Sequence, residues 1–168
     1  MIEELARPAS DADVRELALL LLDTVASGAS VGFLDSLSVE DAEAWWRGKL
    51  ASLPPRAAVL VARDDGGIAG TVQLQPAAMP NQPHRADVAK LQVHRRARGR
   101  GLGRALMEEI ERRARAAGFT LLTLDTKRGD SAEKLYERTG WMRVGTIPNY
   151  ALDPDGTPCD TVVFYKQL

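Results

Sequence analysis

The sequence predicts a single domain of mixed α/β class, in which helices flank one sheet. Segments with helical and with strand-like spacing of apolar residues alternate along the chain, and no repeat, linker or low-complexity segment divides it. The length of 168 residues is enough for one hydrophobic core and short for two. These observations together favour one α/β unit.

Composition excludes several classes of protein. Cys159 is the only cysteine, so neither an intrachain disulfide nor a cysteine zinc cluster can form, and we expect no metal. The net charge of −1 argues against binding a long nucleic acid through bulk charge. No apolar run approaches the roughly 20 residues of a membrane span, and the start, MIEELARPAS, lacks the apolar region of a secretory signal. We therefore expect a cytoplasmic protein with no membrane partner.

Helical spacing of apolar residues predicts four helices. The second has Ser38 as its cap and acidic residues in its first turn. The third is expected to end at Gly118, and the fourth to begin at Asp130 or Ser131. The predicted helices cover residues 11–26, 39–50, 102–117 and 131–139.

Seven strands are predicted from β-rich segments bounded by turn residues. The second and third form a hairpin through Asp64–Gly67. Residues 148–160 are expected to be a loop with a turn at Pro154-Asp155-Gly156. Alternation in the fourth strand predicts one face with Asp87, Ala89, Leu91 and Val93, and an opposite face with Lys90. The strands are expected over residues 5–10, 57–63, 68–75, 87–93, 119–126, 141–147 and 161–165.

A basic, glycine-rich turn between the fourth strand and the third helix is the strongest functional signal. Alternating glycines let backbone amides approach a ligand with no Cβ in the way. The start of the helix adds free N–H groups and the positive end of its dipole. This pattern predicts an anion site for a phosphate-bearing cofactor, although it matches neither the P-loop nor the dinucleotide fingerprint. The turn contains Arg95, Arg96, Arg98, Gly99, Arg100, Gly101, Gly103 and Arg104.

Two segments resemble motifs of the GNAT acyltransferases. The pattern Arg98-x-x-Gly101-x-Gly103, after the strand LQV and before ALMEEIERRARAAGF, resembles the acetyl-CoA-binding motif of that family. The later SAEKLYERTGWMRVG is similar to its second motif, and both come in the family's order and spacing. The resemblance implies one GNAT-like domain over residues 5–168, with a mostly antiparallel sheet of about seven strands and splayed central strands. The second half is similar to the tabtoxin-resistance acetyltransferases.

The resemblance also implies the reaction and the cofactor-binding residues. It implies an N-acetyltransferase, a monomer or homodimer, that moves acetyl from acetyl-CoA to a primary amine of a small molecule by direct attack. The pantetheine would bind to exposed backbone of Leu91 and Val93. Gly129 stands where relatives often carry Asn, with Asp130 or Ser131 as possible replacements. The pyrophosphate would bind to amides of Arg98, Gly99, Arg100, Gly101, Leu102, Gly103 and Arg104.

Three residues are candidates for catalysis. Tyr136, in the L-Y-E of the second motif, lies where the family keeps the acid that reprotonates the departing CoA thiolate. Asp87 starts the strand that leads into the basic turn, and Asp125 ends its neighbour, so either carboxylate, or a water, could take the proton of the acceptor ammonium. The two carboxylates could instead hold a cationic acceptor.

Two other classes of protein are open alternatives. Ser30, in Gly28-Ala29-Ser30-Val31-Gly32, matches the hydrolase elbow, with His84 and His94 downstream, but a helix rather than a strand leads into it. A module that only binds CoA or RNA could use the same basic turn. The turn lacks the interleaved aromatic residues on which bases stack, which argues against RNA. Selection of the acceptor is expected from the first helices, the loops over residues 27–38 and 76–83, and the segment around Tyr150. Acidic residues there, such as Asp35 and Asp155, favour a cationic small-molecule acceptor.

Overall fold

A computed structural model describes residues 1–168. One seven-stranded sheet has the order β1-β2-β3-β4-β5-β7-β6, and all neighbours are antiparallel except β4 and β5. The predicted fold class, a mixed and mostly antiparallel sheet flanked by helices, is confirmed. The elements are β1 (Ile2–Glu4), α1 (Asp11–Ala26), α2 (Val39–Ala51), β2 (Ala58–Asp64), β3 (Gly67–Pro76), β4 (Arg85–Val93), a 3-10 turn (Arg95–Ala97), α3 (Leu102–Ala116), β5 (Leu121–Lys127), α4 (Ser131–Arg138), β6 (Met142–Leu152) and β7 (Pro158–Gln167).

Apolar residues on both faces of the sheet form two cores. On one face, the sheet packs against α3 and α4 through Val72, Leu74 and Val88. Ile110 of α3 and Tyr136 of α4 are buried in this core. On the other face, strand residues of β2 and β3 pack with the buried sides of α1 and α2. None of the four helices combines the length and the apolar character needed to cross a bilayer.

The parallel strands β4 and β5 separate soon after they meet. Only three residue pairs join them, Arg85 to Leu121, Ala86 to Leu122 and Asp87 to Thr123. Beyond Asp87 the two strands diverge, so the edge of β4 that faces β5 makes no further ladder there. This splay, which the resemblance implied, opens a gap in the middle of the sheet.

A bulge in β4 changes which face its side chains occupy. Gln92 pairs with Thr71 of β3 and Ala89 pairs with Gln73, so two residues of β4, Lys90 and Leu91, oppose one residue of β3. Lys90 has the left-handed φ of 53°.

Because of this extra residue, the predicted alternation along β4 is wrong. Leu91 and Val93 pack with Val88 on the α3 face of the sheet. They do not share a face with Ala89, since the bulge reverses the alternation between residues 89 and 91.

Two other predicted elements are wrong. The first strand is Ile2–Glu4 rather than residues 5–10, since Leu5 turns into the core under α1 and Ser10 accepts the Asp13 amide as the α1 cap. The expected loop over residues 148–160 is mostly strand, because β6 continues to Leu152 and β7 starts at Pro158. An edge strand tolerates Pro148, which has no N–H to donate.

Candidate active site

The gap between β4 and β5 continues into a cavity of about 750 Å³ that both faces of the sheet line. The loop between α1 and α2 closes it on one side, and the starts of α3 and α4 close it on the other. Tyr150 and Ala151 of β6 complete the wall. The cavity therefore exists because the strands separate, and it collects side chains from segments distant in the chain.

The cavity meets a row of unused backbone amides at the start of α3. Gly101 caps this helix with a left-handed φ of 79° and no side-chain hydrogen bond, and Gly99 is also left-handed at 75°. The six amides of residues 99–104 donate to no acceptor in the protein. Free amides at the positive end of a helix dipole bind an anion. The backbone of this turn therefore has the geometry that the predicted anion site requires, and anion binding there stays a prediction.

Most arginine side chains of this turn already have partners within the protein. Arg95 pairs with Asp23, Arg96 with Asp64 at 3.1 Å and Arg104 with Glu108 at 2.8 Å. The Arg98 guanidinium donates to the Val93 carbonyl and the Ser27 hydroxyl, both at 2.9 Å. Arg100 alone makes no hydrogen bond or ion pair. The arginines mainly fasten the turn to β4, α1 and the β2–β3 hairpin, and the amides are left for a ligand.

Some of the predicted cofactor-binding residues line the cavity, and others do not. The amide of Arg98 is used, since it donates to the Arg95 carbonyl at 3.4 Å. Arg100 and Arg104 lie outside the wall. The predicted residues that line the wall are Leu91, Val93, Arg98, Gly99, Gly101, Leu102 and Gly103.

Tyr136 lies against the cavity on the α4 side. Its side chain is 5% exposed and packs on Trp141 and Phe164, with ring centroids 6.0 and 5.8 Å away. No protein group hydrogen-bonds to its hydroxyl. Burial, together with the charges of Asp125 and Asp130, raises the pKa of Tyr136. The phenol thus keeps its proton throughout the neutral pH range.

Asp125 and Tyr136 line the same cavity, whereas Asp87 lies outside its wall. Asp125 is an exposed residue at the cavity wall, and partial desolvation there raises its pKa. The charge of Lys90 acts in the opposite direction, and that of Asp87 adds to the rise. Asp125 forms no ion pair.

The Asp87 carboxylate is occupied by protein partners. It accepts hydrogen bonds from Arg85 at 2.6 Å and from the Thr123 hydroxyl. The structure therefore brings only one of the two predicted bases to the cavity.

Lys90 is a cavity residue that the sequence did not indicate. It lines the wall, and its ammonium donates to the Val31 carbonyl in the α1–α2 loop. Desolvation lowers the pKa of Lys90, and the charge of Asp125 opposes this effect. No sequence signal marked it, because the β4 bulge that directs this lysine depends on pairing with β3.

The geometry around Ser30 does not assemble a hydrolase site. The Ser30 hydroxyl donates to the Leu152 carbonyl at 3.0 Å, and neither His84 nor His94 hydrogen-bonds to it. His94 instead accepts the Arg96 amide at 3.2 Å. At Gly129, the position of the missing Asn, the backbone amide donates to Glu133 at 2.6 Å.

The comparisons with known proteins identify the family. The Acetyltransferase (GNAT) family model matches residues 22–141. The uncharacterized N-acetyltransferase in the hisH-hisA intergenic region of Azospirillum brasilense is 36% identical over 117 residues, 68% of this chain and 68% of its own length. The chain therefore belongs to the GNAT acetyltransferase family, as the resemblance predicted. The similarity to the tabtoxin-resistance subgroup stays a prediction.

Solved structures share the fold over the whole chain. A GNAT-family acetyltransferase from Streptococcus pneumoniae has a TM-score of 0.80 and 25% identity, covering 100% of this chain and 99% of its own. The structure of yncA from Salmonella typhimurium, with its cofactor acetyl-CoA, has a TM-score of 0.78 and 19% identity, covering 100% of this chain and 93% of its own.

Proposed function

We propose that this protein transfers acetyl from acetyl-CoA to the primary amine of a small molecule by direct attack. The observation that carries the proposal is the junction of six free amides at residues 99–104 with a cavity that contains Asp125 and Tyr136. An anion site alone would suit many phosphate ligands. A carboxylate and a protonated phenol in the same sheltered cavity add the proton-transfer groups that acyl transfer to an amine requires.

The cofactor would lie along the splayed strand. The amides of residues 99–104 suit the pyrophosphate, and the unpaired edge of β4 at Leu91 and Val93 suits the amide groups of the pantetheine. A Cβ at Gly101 would be strained by the left-handed φ, and one at Gly103 would contact Leu135 at 3.6 Å and Val93 at 3.8 Å. When bound there, acetyl-CoA supplies the activated acetyl group as a thioester.

The chain's own residues would then move two protons. Asp125 takes a proton from the acceptor nitrogen, so that its lone pair can form the bond to the acetyl carbon. As the carbon–sulfur bond breaks, Tyr136 donates its proton to the leaving sulfur. The attacking nitrogen loses its second proton as the amide forms, which restores the phenol, and Asp125 releases its proton to solvent. The raised pKa of Asp125 makes its carboxylate a stronger base, and the Tyr136 phenol is protonated and has a proton to donate.

Asp87 supports the reaction without lining the cavity. Its carboxylate is held by Arg85 and Thr123, and its charge raises the pKa of Asp125 across the first residues of the splay. Among the two predicted bases, the positions therefore favour Asp125 as the base. Asp87 would act on this base by raising its pKa.

Thermal unfolding with acetyl-CoA tests the site. At a concentration 100 times its Kd, a ligand stabilises the folded state by about 2.7 kcal/mol, which for this size of chain corresponds to roughly 5–10 °C in melting temperature. Gly101→Trp should abolish this rise. Gly156→Trp is the matched control, since Gly156 has a similar φ of 87° and lies in the β6–β7 turn, outside the cavity wall.

Release of free thiol over a panel of amines, amino acids and aminoglycosides then tests the reaction. Turnover with at least one acceptor is expected. A rise in melting temperature that survives Gly101→Trp would contradict the site, and tight binding without turnover of any acceptor would support a binding module.

A further inference from the structure

Lys90 is a cation in the cavity that the proposed reaction does not use. The β4 bulge holds its backbone at a left-handed φ of 53°, a conformation that residues other than glycine rarely adopt. Its ammonium donates one hydrogen bond, to the Val31 carbonyl, and lies 5.5 and 5.6 Å from the ring centroids of Phe33 and Trp45. An ammonium has three donors. Two N–H groups of Lys90 are therefore unused.

The other cations of the cavity wall are occupied. Arg98 donates to Val93 and Ser27, and Lys127 pairs with Asp153 at 2.7 Å. Lys90 has no carboxylate within ion-pair distance. A sheltered charge with no counter-charge is costly, and a ligand that supplies the opposite charge removes that cost. Lys90 is thus the cation of this wall that remains available to an anionic group.

The charged groups that face Lys90 define a dipolar site. Asp125 on β5 acts on it as the opposite charge, Lys49 on α2 as a like charge, and Asp87 acts on Asp125. Lys90 and Asp125 both line the cavity without pairing with each other. A molecule with an amine at one end and an acid group at the other would match both.

We infer that Lys90 binds a carboxylate of the acceptor and that the acceptor is an amino acid or a similar amino carboxylate. The amine would meet Asp125 while the carboxylate accepts hydrogen bonds from Lys90. This inference rests on the proposed function and narrows it. The inferred acceptor differs from the cationic molecule that the acidic loops predicted. The reason is that the β4 bulge brings the positive charge of Lys90 to the same cavity as Asp125.

Lys90 also holds the α1–α2 loop through Val31, so the test must separate specificity from loop structure. The decisive quantity is a ratio: kcat/KM for an L-amino acid divided by kcat/KM for the amine that lacks its carboxylate. Suitable pairs are phenylalanine with phenethylamine and methionine with 3-(methylthio)propylamine. Damage to the loop lowers both members of a pair, whereas loss of a carboxylate contact lowers only the first.

The variants are Lys90→Met, which keeps the length of the side chain without its charge, and Lys90→Arg, which restores the charge. Lys134→Met is the matched control, since Lys134 is exposed on α4, lies outside the cavity wall and forms no ion pair. Wild type should prefer the amino acid at least 10-fold. Lys90→Met should lower this ratio about 10- to 100-fold, the range for hydrogen bonds to charged groups. Lys90→Arg should recover part of it, and Lys134→Met should leave it unchanged.

Equal use of amino acids and amines by wild type would overturn the inference, and so would an equal fall for both substrates in Lys90→Met. A binding measurement separates this failure from that of the proposed function. N-acetyl-L-phenylalanine and N-acetylphenethylamine are compared, with CoA present, by melting temperature. If no acceptor is acetylated but only the carboxylate probe stabilises wild type and not Lys90→Met, the Lys90 site holds and the transferase proposal fails. If amines are acetylated but N-acetyl-L-phenylalanine binds no better than N-acetylphenethylamine, the transferase proposal holds and the Lys90 site fails.

Discussion

The two ends of the cavity are built in different ways. At the α3 end, one contiguous stretch of six residues, 99–104, presents a row of free backbone amides. At the other end, the groups come from distant parts of the chain: Val31 in a loop, Lys90 at a bulge and Asp125 on the next strand. Backbone amides tolerate changes of side chain, whereas an assembled set of side chains depends on each member. The first end therefore suits an invariant part of a ligand, and the second suits selection among acceptors.

The substitution Asp125→Asn should separate the two ends most strongly. It removes the proposed base, so kcat should fall about 10²- to 10⁴-fold, the usual contribution of general-base catalysis. The rise in melting temperature with acetyl-CoA should be unchanged, because residues 99–104 are untouched. Steady-state thiol release and thermal unfolding measure both.

The stability of the same variant gives a second check. Because the pKa of Asp125 is raised in the folded state, ionisation weakens folding as pH rises through the folded-state pKa. At pH 7 the Asn variant should be at least as stable as wild type in urea unfolding. A variant that is both inactive and clearly less stable would indicate a structural role for Asp125.

A smaller effect is expected from Tyr136→Phe. The ring keeps its packing on Trp141 and Phe164, while the proton for the leaving sulfur is lost, so kcat should fall roughly 100-fold, the lower end of the contribution of general acid catalysis. Cofactor-dependent stabilisation should again be unchanged. Tyr150→Phe is the control, since Tyr150 lines the cavity but is 56% exposed on β6. An unchanged kcat in Tyr136→Phe would remove this residue from the mechanism.

The pH dependence should show the smallest and most specific effect. If Asp125 is the base, kcat/KM rises with pH as its carboxyl ionises, with a midpoint above the ordinary value of 3.8. The charge of Asp87 raises the pKa of Asp125 and that of Lys90 lowers it. Asp87→Asn should therefore move the midpoint to lower pH, and Lys90→Met should move it to higher pH. Shifts in the same direction would contradict the assignment of Asp125.

Patterns of neighbouring residues in the sequence predicted the α3 end of the cavity well. The apolar spacing after Asp11 located α1 at Asp11–Ala26, as observed, and the left-handed Gly99 and Gly101 form the turn that their sequence indicated. The helix start and its free amides depend on neighbouring residues only. Sequence reasoning could reach them for that reason.

The acceptor end was less accessible to sequence reasoning. The bulge at Lys90 arises from pairing with β3 and reverses the predicted faces of β4. The extension of β6 through Pro148 depends on its place at the sheet edge. The role of Arg85 as a partner of Asp87, two positions away on the same strand, was readable in principle. The arginine pairs with Asp23 and Asp64 were not, since they join distant segments.

The short contact between β4 and β5 has a mechanical meaning. Three residue pairs of parallel ladder are all that join strands β1–β4 to strands β5–β7 within the sheet. The junction between the two halves of the sheet and the proposed reaction centre are therefore the same place. A ligand that hydrogen-bonds along the open edge of β4 would link the two halves of the sheet. We therefore expect the sheet to be most rigid when the substrates are bound.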